Sequence, residues 1–539
     1  MALRSLACCA ALGGALAANA AAQLESQALL PTSAQFGDAF GEALARDGEW
    51  LAVGLPGVDG NFATGPDVGA VDLFERVQGT WLERQRLNPP QPIERLRFGG
   101  QVALQDPWLF VGAPGAGQGA DDAGEVHVYR RNGASWTPTQ VLTAQAPVAD
   151  AEFGAFLDVD GPWLAVGAPR ANAPSGEAVT GEVDLFELVG ETWVARQRLS
   201  APQPQFQALF SRVALDADRL IVGSPLDDQG AFNAGAVDLF ERSGSNWQHV
   251  QRLVPFDLDP QEEFGADVAL DGSRFAVGCP GRDVARGAVR VFFDLGPGFF
   301  EEALLTTTDA GFGDVFGIQL DFEGERLVAC ANASEQDIAG QAVYLFQRLG
   351  GAWVQASKFE SEDPAGAQGY GRALDLDGSE LWVGAPGADV ELGNAGRAAQ
   401  VELAQALDSF QALSASASLS AGGEQRLRLN ASFLQAQQLF LILGSASGTS
   451  PGQFGAGVQV PLNLDPYFLT TLLNPAGSPV APPLGLLGSA GTALAKVVVP
   501  PNTDPTLAGL TLHHAYLVLN PIDGEVLSVS TPLALDLLP

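Results

Sequence analysis

The four histidines are the first residues to consider for metal or acid–base chemistry, because imidazole serves both purposes near neutral pH. His127 and His249 each fall on a predicted strand, and neither has a second histidine at metal-ligand spacing. Zinc needs several ligands brought together, so we expect both to be solvated strand residues. His513 and His514 would point to opposite faces of a strand and cannot hold one ion together.

A second candidate for chemistry is Gly448-Thr-Ser450-Pro-Gly452, which matches the Gly-x-Ser-x-Gly pattern of serine hydrolases. In such enzymes the residue after the nucleophile donates its backbone N–H to the oxyanion. Pro451 has no N–H to donate, and no helical pattern follows it. We interpret the segment as a turn, and the sequence predicts no catalytic residue.

The elements that position side chains come from an internal repeat. An aromatic-Gly pair such as Phe153-Gly154 stands 13 or 14 residues before a Gly-x-Pro step, as in Gly167-Ala-Pro169. Successive copies of the step lie 51 to 58 residues apart. The seven copies begin at Gly54, Gly112, Gly167, Gly223, Gly278, Ala329 and Gly384, and Ala329-Cys-Ala331 is a divergent one. We call the corresponding segments repeats 1 to 7.

Each repeat continues with short apolar-polar alternation, as in Gly69-Ala-Val-Asp-Leu-Phe74. In most copies a further aromatic and a Gln-x-Leu strand follow, for example Trp193 and Gln197 to Leu199. Four short strands per period of this length predict a β-propeller blade. The seventh repeat lacks its fourth strand, and residues 24–30 carry a matching Gln27-Ala-Leu29. We predict that residues 24–30 close the last blade.

These marks resemble the FG-GAP repeat of integrin alpha chains and of secreted bacterial proteins, over residues 24–407. The resemblance implies a seven-bladed, extracellular propeller that binds ligands or mediates adhesion. Some integrin blades carry an Asp-rich calcium loop. Here the matching segments, such as Asp158-Val-Asp160-Gly161 and Asp375-Leu-Asp377-Gly378, are short. Calcium needs six to eight oxygens from a loop that can wrap it. We therefore predict hairpin turns and no cofactor, with calcium as the alternative.

The expected binding surface is the acidic face of the ring, where the loops between strands two and three emerge beside those joining successive blades. Many carboxylates at one face would attract a cationic ligand, although solvated loop charge is the alternative for each residue. The candidate binding residues are Asp121, Asp122, Asp227, Asp228, Asp283, Asp337 and Asp389.

The ends of the chain differ from the repeats. Residues 1–22 have one cation, an Ala/Leu/Cys-rich apolar run and an Ala-x-Ala ending, which together predict a secretory signal peptide. Residues 23–407 form the predicted propeller. Residues 408–539 lack the repeat, have little charge and contain at least six candidate strands, so we predict a β-sandwich. The predicted fold class is therefore all-β, a seven-bladed propeller followed by a sandwich.

The composition of the chain limits the kinds of partner that it can bind. The net charge of −35 disfavours nucleic acid and anionic membrane surfaces. No stretch after residue 22 is long and apolar enough to predict a membrane span. Cys279 and Cys330 are expected to be small buried residues, with a disulfide between them as the alternative in an oxidising compartment. We expect a monomer.

The functional prediction is a secreted or cell-surface protein, not an enzyme, that binds a protein or glycan ligand through its acidic loop face, which would suit a cationic one. One alternative is a glycan-active hydrolase or lyase, since propellers also support such chemistry. It would need paired carboxylates in a central cleft, and the sequence singles out no pair. A structural role in an envelope or matrix layer is the third alternative.

Overall fold

The computed structural model describes the following residues: 27–31, 35, 37–60, 65–117, 121–294, 298–307, 309, 311–331, 341–349, 351–361, 369–388, 395–403, 409–412, 416–418, 423–430, 438–447, 449, 453–455, 458–460, 462–463, 467, 469, 479–482, 484–487, 492–499, 504–508, 510–519, 526–529 and 533–538. They form an all-β structure in two compact units. One unit comprises the described residues of Glu25–Val354 and Phe359–Val401, and the other comprises those of Gln355–Lys358 and Glu402–Pro539. Arg282–Ala285 forms a single turn with left-handed backbone angles at Asp283 and Val284, and Pro505–Leu507 forms a 3-10 turn.

Seven four-stranded sheets correspond to the seven repeats, and we call them sheets 1 to 7. Their strands are Leu44–Asp47, Trp50–Leu55, Ala70–Val77 and Thr80–Leu87 in sheet 1; Val102–Gln105, Trp108–Ala113, Glu125–Asn132 and Ser135–Leu142 in sheet 2; Phe156–Asp160, Trp163–Ala168, Glu182–Val189 and Thr192–Leu199 in sheet 3; Arg212–Asp216, Arg219–Ser224, Ala236–Ser243 and Asn246–Leu253 in sheet 4; Val268–Asp271, Arg274–Cys279, Ala288–Asp294 and Phe299–Leu305 in sheet 5; Leu320–Glu323, Arg326–Ala331, Ala342–Leu349 and Ala352–Glu360 in sheet 6; and Leu374–Asp377, Glu380–Ala385, Arg397–Glu402 and Gln27–Leu29 in sheet 7.

The position of each strand in its sheet follows from its burial. The second strand, Trp163–Ala168 in sheet 3, is buried at every residue, as expected for a strand covered on both faces. The fourth strand, Thr192–Leu199, carries exposed residues along its middle and lies at the sheet edge. The predicted tight turns between strands one and two are confirmed, for example at Gly161, where Asp160 pairs with Trp163.

Apolar cores lie between neighbouring sheets. Phe110 and Val126 of sheet 2 share a buried cluster with Leu164 and Trp193 of sheet 3. A comparable cluster joins the two ends of the series, because Leu29 and Trp382 of sheet 7 pack with residues of sheet 1 such as Leu51. The first strand of each sheet also contacts the first strand of the next, and Leu374–Asp377 contacts Leu44–Asp47.

Two recurring contacts explain the most regular sequence marks. A Cβ on the glycine of the Gly-x-Pro step would lie 1.9 to 2.3 Å from a carbonyl oxygen of the following sheet, as for Gly278 and Gly317. Only glycine permits that approach. The glutamine of the Gln-x-Leu strand binds across sheets: the Gln197 side chain donates to the Trp247 carbonyl at 2.8 Å and accepts from the Trp247 N–H at 2.9 Å.

The second strand of repeat 6 corrects one alignment. Cys330 donates its N–H to Gln319 and accepts from Gly317, as Gly278 does with Asp267 and Gly265. Cys330 therefore stands at the glycine position of the step and not at the middle position that Cys279 occupies. Both cysteines are buried, as predicted, and both are free thiols.

The second unit contains two larger sheets and a hairpin. One sheet has the order Ser409–Ala412, Gly423–Asn430, Thr492–Val499 and Val480–Ala481; the other has the order Ser416–Ser418, Leu533–Leu538, Thr511–Leu519, Leu439–Ser445 and Leu484–Leu486, with Val526–Val529 also paired to Thr511–Leu519; the hairpin is Gln453–Gly455 with Val458–Val460. Residues of both sheets, including Leu429, Val497, Ile442 and Val518, form one hydrophobic core.

Candidate functional site

The first strands of all seven sheets line a partly open space within the first unit. Its wider part is a cavity of about 440 Å³ next to the Gly-x-Pro steps, and a second cavity of about 370 Å³ lies beside the middle of the same strands. We call these the outer and inner cavities. Several aspartates and one arginine with shifted pKa values line these two cavities.

The ends of the first strands near the hairpin turns carry polar side chains that each bind the next sheet. The pairs are Asp47 with the Asp106 N–H, Gln105 with the Gly161 carbonyl, Asp160 with the Ala217 N–H, Asp216 with the Gly272 N–H, Asp271 with the Gly324 N–H, Glu323 with the Gly378 N–H and Asp377 with the Arg46 guanidinium. We call this set the turn belt. Its carboxylates occupy the positions that resembled calcium ligands, and they are used as acceptors between sheets.

Besides Asp267, which lines both cavities, three further aspartates, Asp158, Asp321 and Asp375, line the inner cavity. Asp158 accepts the N–H groups of Val159 and Leu215, the latter at 2.6 Å, and Asp321 accepts those of Phe322 and Leu376. Asp375 accepts the Arg46 N–H at 2.7 Å. The bonds from Leu215, Leu376 and Arg46 again connect adjacent sheets.

Enclosure changes the acidity of these three groups. Burial raises the pKa of Asp158 to about 7, of Asp321 to about 6 and of Asp375 to about 7, against the opposing effect of the backbone N–H bonds. Repulsion among neighbouring carboxylates acts in the same direction as burial. All three are therefore partly protonated near neutral pH.

The wall of the outer cavity is not uniformly acidic. It carries four arginines, Arg97, Arg170, Arg212 and Arg372, and three carboxylates, Glu42, Glu152 and Asp267. Arg97 and Arg170 both lie within ion-pair distance of Glu152, and Arg372 pairs with Glu42 at 2.9 Å. The outer cavity therefore carries more arginines than carboxylates, unlike the acidic loop face predicted from the sequence.

The predicted loop residues have different environments. Asp121 and Asp122 are exposed. Asp227 is buried and paired with Arg252, so it supports its loop from within. Asp228 is exposed and accepts the Asn233 N–H at 2.7 Å, and Asp283 is exposed and pairs with Arg286 at 2.8 Å. Asp337 and Asp389 lie outside the described residues.

Exposed aromatic side chains on the same loops were missed by the sequence reasoning, which considered only charge. Phe206, Phe256 and Phe312 follow sheets 3, 4 and 5 in the loops that join sheets, and Phe232 lies between strands two and three of sheet 4. Each is at least 63 % exposed. The sequence does contain one signal for them: these phenylalanines do not occupy any of the recurring aromatic positions of the repeat.

Hydrogen bonds place the loops that carry these residues side by side. Asp228 donates its N–H to the Gln205 side chain, which links the loops of Phe232 and Phe206. Gln261 donates to the Phe232 carbonyl at 2.8 Å, which links the loops of Phe232 and Phe256. Arg282 then joins Asp257 at 3.4 Å, and Val315 donates to the Ala285 carbonyl, so the series reaches the loop of Phe312. We call Phe206, Phe232, Phe256, Val284 and Phe312 the apolar arc.

The prediction of solvated histidines is wrong for His127. This residue is buried, and its Nε2 lies 2.8 Å from a carboxylate oxygen of Glu125. The reason is that the third strand is covered by the neighbouring sheet, so its polar positions must be paired. His249 is partly exposed and binds Asp238 at 2.9 Å. His514 is buried and contacts the Tyr467 hydroxyl at 2.7 Å, and burial lowers the pKa of His514 to about 4.

The remaining chemical hypotheses have the following outcomes. Ser450 and Pro451 lie outside the described residues. Within the described ranges, no group of three or more histidine, cysteine, aspartate or glutamate side chains is arranged to hold a metal ion. The described part of the chain also has no helix with the length and apolar character needed to cross a membrane.

No protein-family model matches the chain, and no curated protein matches its sequence.

Proposed function

We propose that residues 23–407 form a seven-bladed β-propeller of the FG-GAP type and that residues 408–539 form a β-sandwich. Seven sheets with sequential first-strand contacts support the blade count. Pairing of Gln27–Leu29 with Arg397–Glu402 supports closure through the N-terminal strand. The core shared by the two sheets of the second unit supports the sandwich.

On this scaffold the function is binding of a partner protein by a secreted or cell-surface molecule. The observation that carries this proposal is the apolar arc, because large aromatic side chains left in water mark interaction surfaces. The partner is a polypeptide segment that combines apolar and basic side chains.

The negative charges around the apolar arc favour a partner with basic side chains. Asp228, Asp259 and Asp314 lie on the same loops, and the whole chain carries −35. The arginines of this region are engaged: Arg252 pairs with Asp227, Arg282 with Glu262 and Arg286 with Asp283. A basic segment is attracted by this field and an acidic one is repelled.

An enzymatic role is favoured by one observation, the raised pKa values of the three inner-cavity aspartates, because such shifts often mark catalytic acids. Their hydrogen bonds weigh against it. Both oxygens of Asp158 and Asp321 accept backbone N–H groups, which leaves them poorly placed to exchange a proton with substrate. We therefore place binding ahead of glycan hydrolysis or elimination.

The test is surface plasmon resonance of the purified full chain with a short peptide of alternating lysine and phenylalanine. An analogue with glutamate in place of lysine serves as the charge control. The test variant is the quadruple substitution Phe206→Ser, Phe232→Ser, Phe256→Ser and Phe312→Ser. The matched control replaces exposed apolar residues on fourth strands, Leu82→Ser, Val141→Ser and Val250→Ser, outside the apolar arc.

We expect the basic peptide to bind the parent chain and the control variant, and to bind the quadruple variant at least about tenfold more weakly. Binding should weaken as salt is raised, since the exposed carboxylates are screened. Equal binding of the basic peptide to the quadruple variant, or equal binding of the acidic analogue to the parent chain, would contradict the proposal.

A further inference from the structure

One of the four arginines of the outer cavity differs from the other three in its partners. Arg97 and Arg170 share Glu152, and Arg372 is paired with Glu42. Arg212 has no hydrogen bond and no ion pair within the described part of the chain. Its guanidinium carbon lies 3.9 Å from the centroid of the Phe156 ring. Stacking on a ring face leaves the N–H groups at the edge of the guanidinium plane available to a ligand.

Asp267 and Glu263 are the carboxylates whose charges act on Arg212, and neither forms an ion pair with it within the described residues. Asp267 lines the same cavity but accepts the Leu320 N–H at 2.9 Å. Burial raises the pKa of Asp267 to about 6, which weakens its negative charge in mildly acidic solution. Burial also lowers the pKa of Arg212 to about 10, so Arg212 stays cationic near neutral pH. A ligand carboxylate would therefore offset a charge that Asp267 and Glu263 balance only at a distance.

Two neutral side chains share the wall with Arg212. Gln101 and Gln319 occupy the equivalent positions in sheets 2 and 6, since each offers its carbonyl to the N–H at the glycine position of the second strand. Both side chains line the outer cavity. Neither amide has a hydrogen-bond partner among the residues that the structure describes. Each amide can donate to and accept from hydroxyl groups.

We propose that the outer cavity binds a small hydroxylated carboxylate of the sugar-acid class. The Arg212 guanidinium matches the planar geometry of a carboxylate, and Gln101 and Gln319 provide partners for hydroxyls. A volume of about 440 Å³ lies within the range of small-molecule sites and suits one sugar acid, not a polymer chain. A site with four arginines and three carboxylates selects an anion, although the chain as a whole is strongly acidic.

The site is separate from the apolar arc, so the two proposals can fail independently. It is tested by thermal unfolding and calorimetric titration of the purified full chain with sodium glucuronate. Glucose at equal concentration and sodium chloride at equal ionic strength are the ligand controls. The test variant is Arg212→Gln. The matched variant Arg196→Gln removes the same charge from a fourth strand, where Arg196 pairs with Glu187 at 2.6 Å.

We expect glucuronate at millimolar concentration to raise the melting temperature of the parent chain and of Arg196→Gln, because it binds only the folded state. Glucose and chloride should have no such effect. Arg212→Gln should bind glucuronate at least about tenfold more weakly. Its melting temperature without ligand should be unchanged or higher, because the substitution removes a charge that burial disfavours. This last result separates a ligand-binding role from a merely structural one.

Three results would overturn the proposal. One is the absence of any heat or melting shift with glucuronate in the parent chain. Another is a glucuronate response in Arg212→Gln equal to that of the parent chain. The third is a loss of several degrees in the melting temperature of ligand-free Arg212→Gln, which would show that the arginine supports the fold and does not serve a ligand.

Discussion

The two ends of the seven sheets use the same residue type in different ways. At the hairpin end, the aspartates of the turn belt each accept a hydrogen bond from the neighbouring sheet or pair with its arginine. At the loop end, Asp121 and Asp122 remain exposed, and other loops expose phenylalanines. The hairpin-end aspartates join the sheets, whereas these two loop aspartates are left in solvent. An acidic residue is therefore informative only together with what it contacts.

The largest expected effect comes from adding a side chain where two sheets are in close contact. A Cβ at Gly278 would lie 1.9 Å from the Gly317 carbonyl oxygen, so Gly278→Ala must separate sheets 5 and 6. We expect a loss of at least about 3 kcal/mol in the free energy of unfolding, or failure to fold. Urea denaturation measures it.

The matched control for that change is Gly272→Ala in the hairpin turn of sheet 5. Gly272 has a φ of +58°, and a Cβ added there would meet no atom within 4 Å. Only backbone strain of about 1 kcal/mol should result. Equal losses for the two variants would show that close approach between sheets is not what requires the glycine.

The next effect is a pH-dependent one in the inner cavity. The folded-state pKa of Asp375 is raised to about 7. The contribution of this side chain to the free energy of unfolding is therefore fully present below pH 4 and is lost as pH rises through 7. Asp375→Asn keeps an acceptor for the Arg46 N–H and removes the charge. It should stabilise the chain by roughly 2 kcal/mol at pH 8 and change little at pH 4.

Thermal unfolding of both forms from pH 4 to pH 8 measures this difference. Destabilisation by Asp375→Asn at pH 8 would mean that the charged carboxylate is needed, as in a functional site. The result would then strengthen the enzymatic alternative at the expense of a role in joining sheets.

A smaller effect compares the two ends directly. Asp160 accepts the Ala217 N–H at 2.7 Å, so Asp160→Ala should lower the free energy of unfolding by about 1 kcal/mol. Asp121→Ala at the loop end should change it by less than about 0.5 kcal/mol, since Asp121 is an exposed loop residue. Parallel urea titrations test the pair. A loss at Asp121 as large as that at Asp160 would remove the distinction between the two ends.

The smallest expected effect is that of calcium. Because the turn-belt carboxylates already serve as acceptors between sheets, millimolar calcium and a chelator should give the same melting temperature within the error of the measurement. A rise of several degrees with calcium would show that a folded-state ion site exists. It would also reassign the hairpin end from joining sheets to binding a cation.

Much of the fold was accessible from periodicity. Alternating residues around Trp163–Ala168 and the spacing of Gly167-Ala-Pro169 predicted the strands, and Gln27-Ala-Leu29 predicted a strand that does pair with Arg397–Glu402. The candidate site was much less accessible. Asp227 and Asp228 are adjacent in sequence, yet one is buried in an ion pair and the other is exposed. Sequence alone does not tell which neighbour covers a side chain.

Local residue chemistry determined the repeat, the turns and the positions where only glycine fits, because these depend on contacts that recur at fixed offsets along the chain. The tertiary structure decided which polar side chains are used up between sheets and which are left over. Arg212 was left without an ion pair among the described residues, and the loop of Phe232 came to bind the loops of Phe206 and Phe256, only when distant repeats came together. The physical reason is that pairing and burial depend on three-dimensional neighbours, which repeat spacing does not specify.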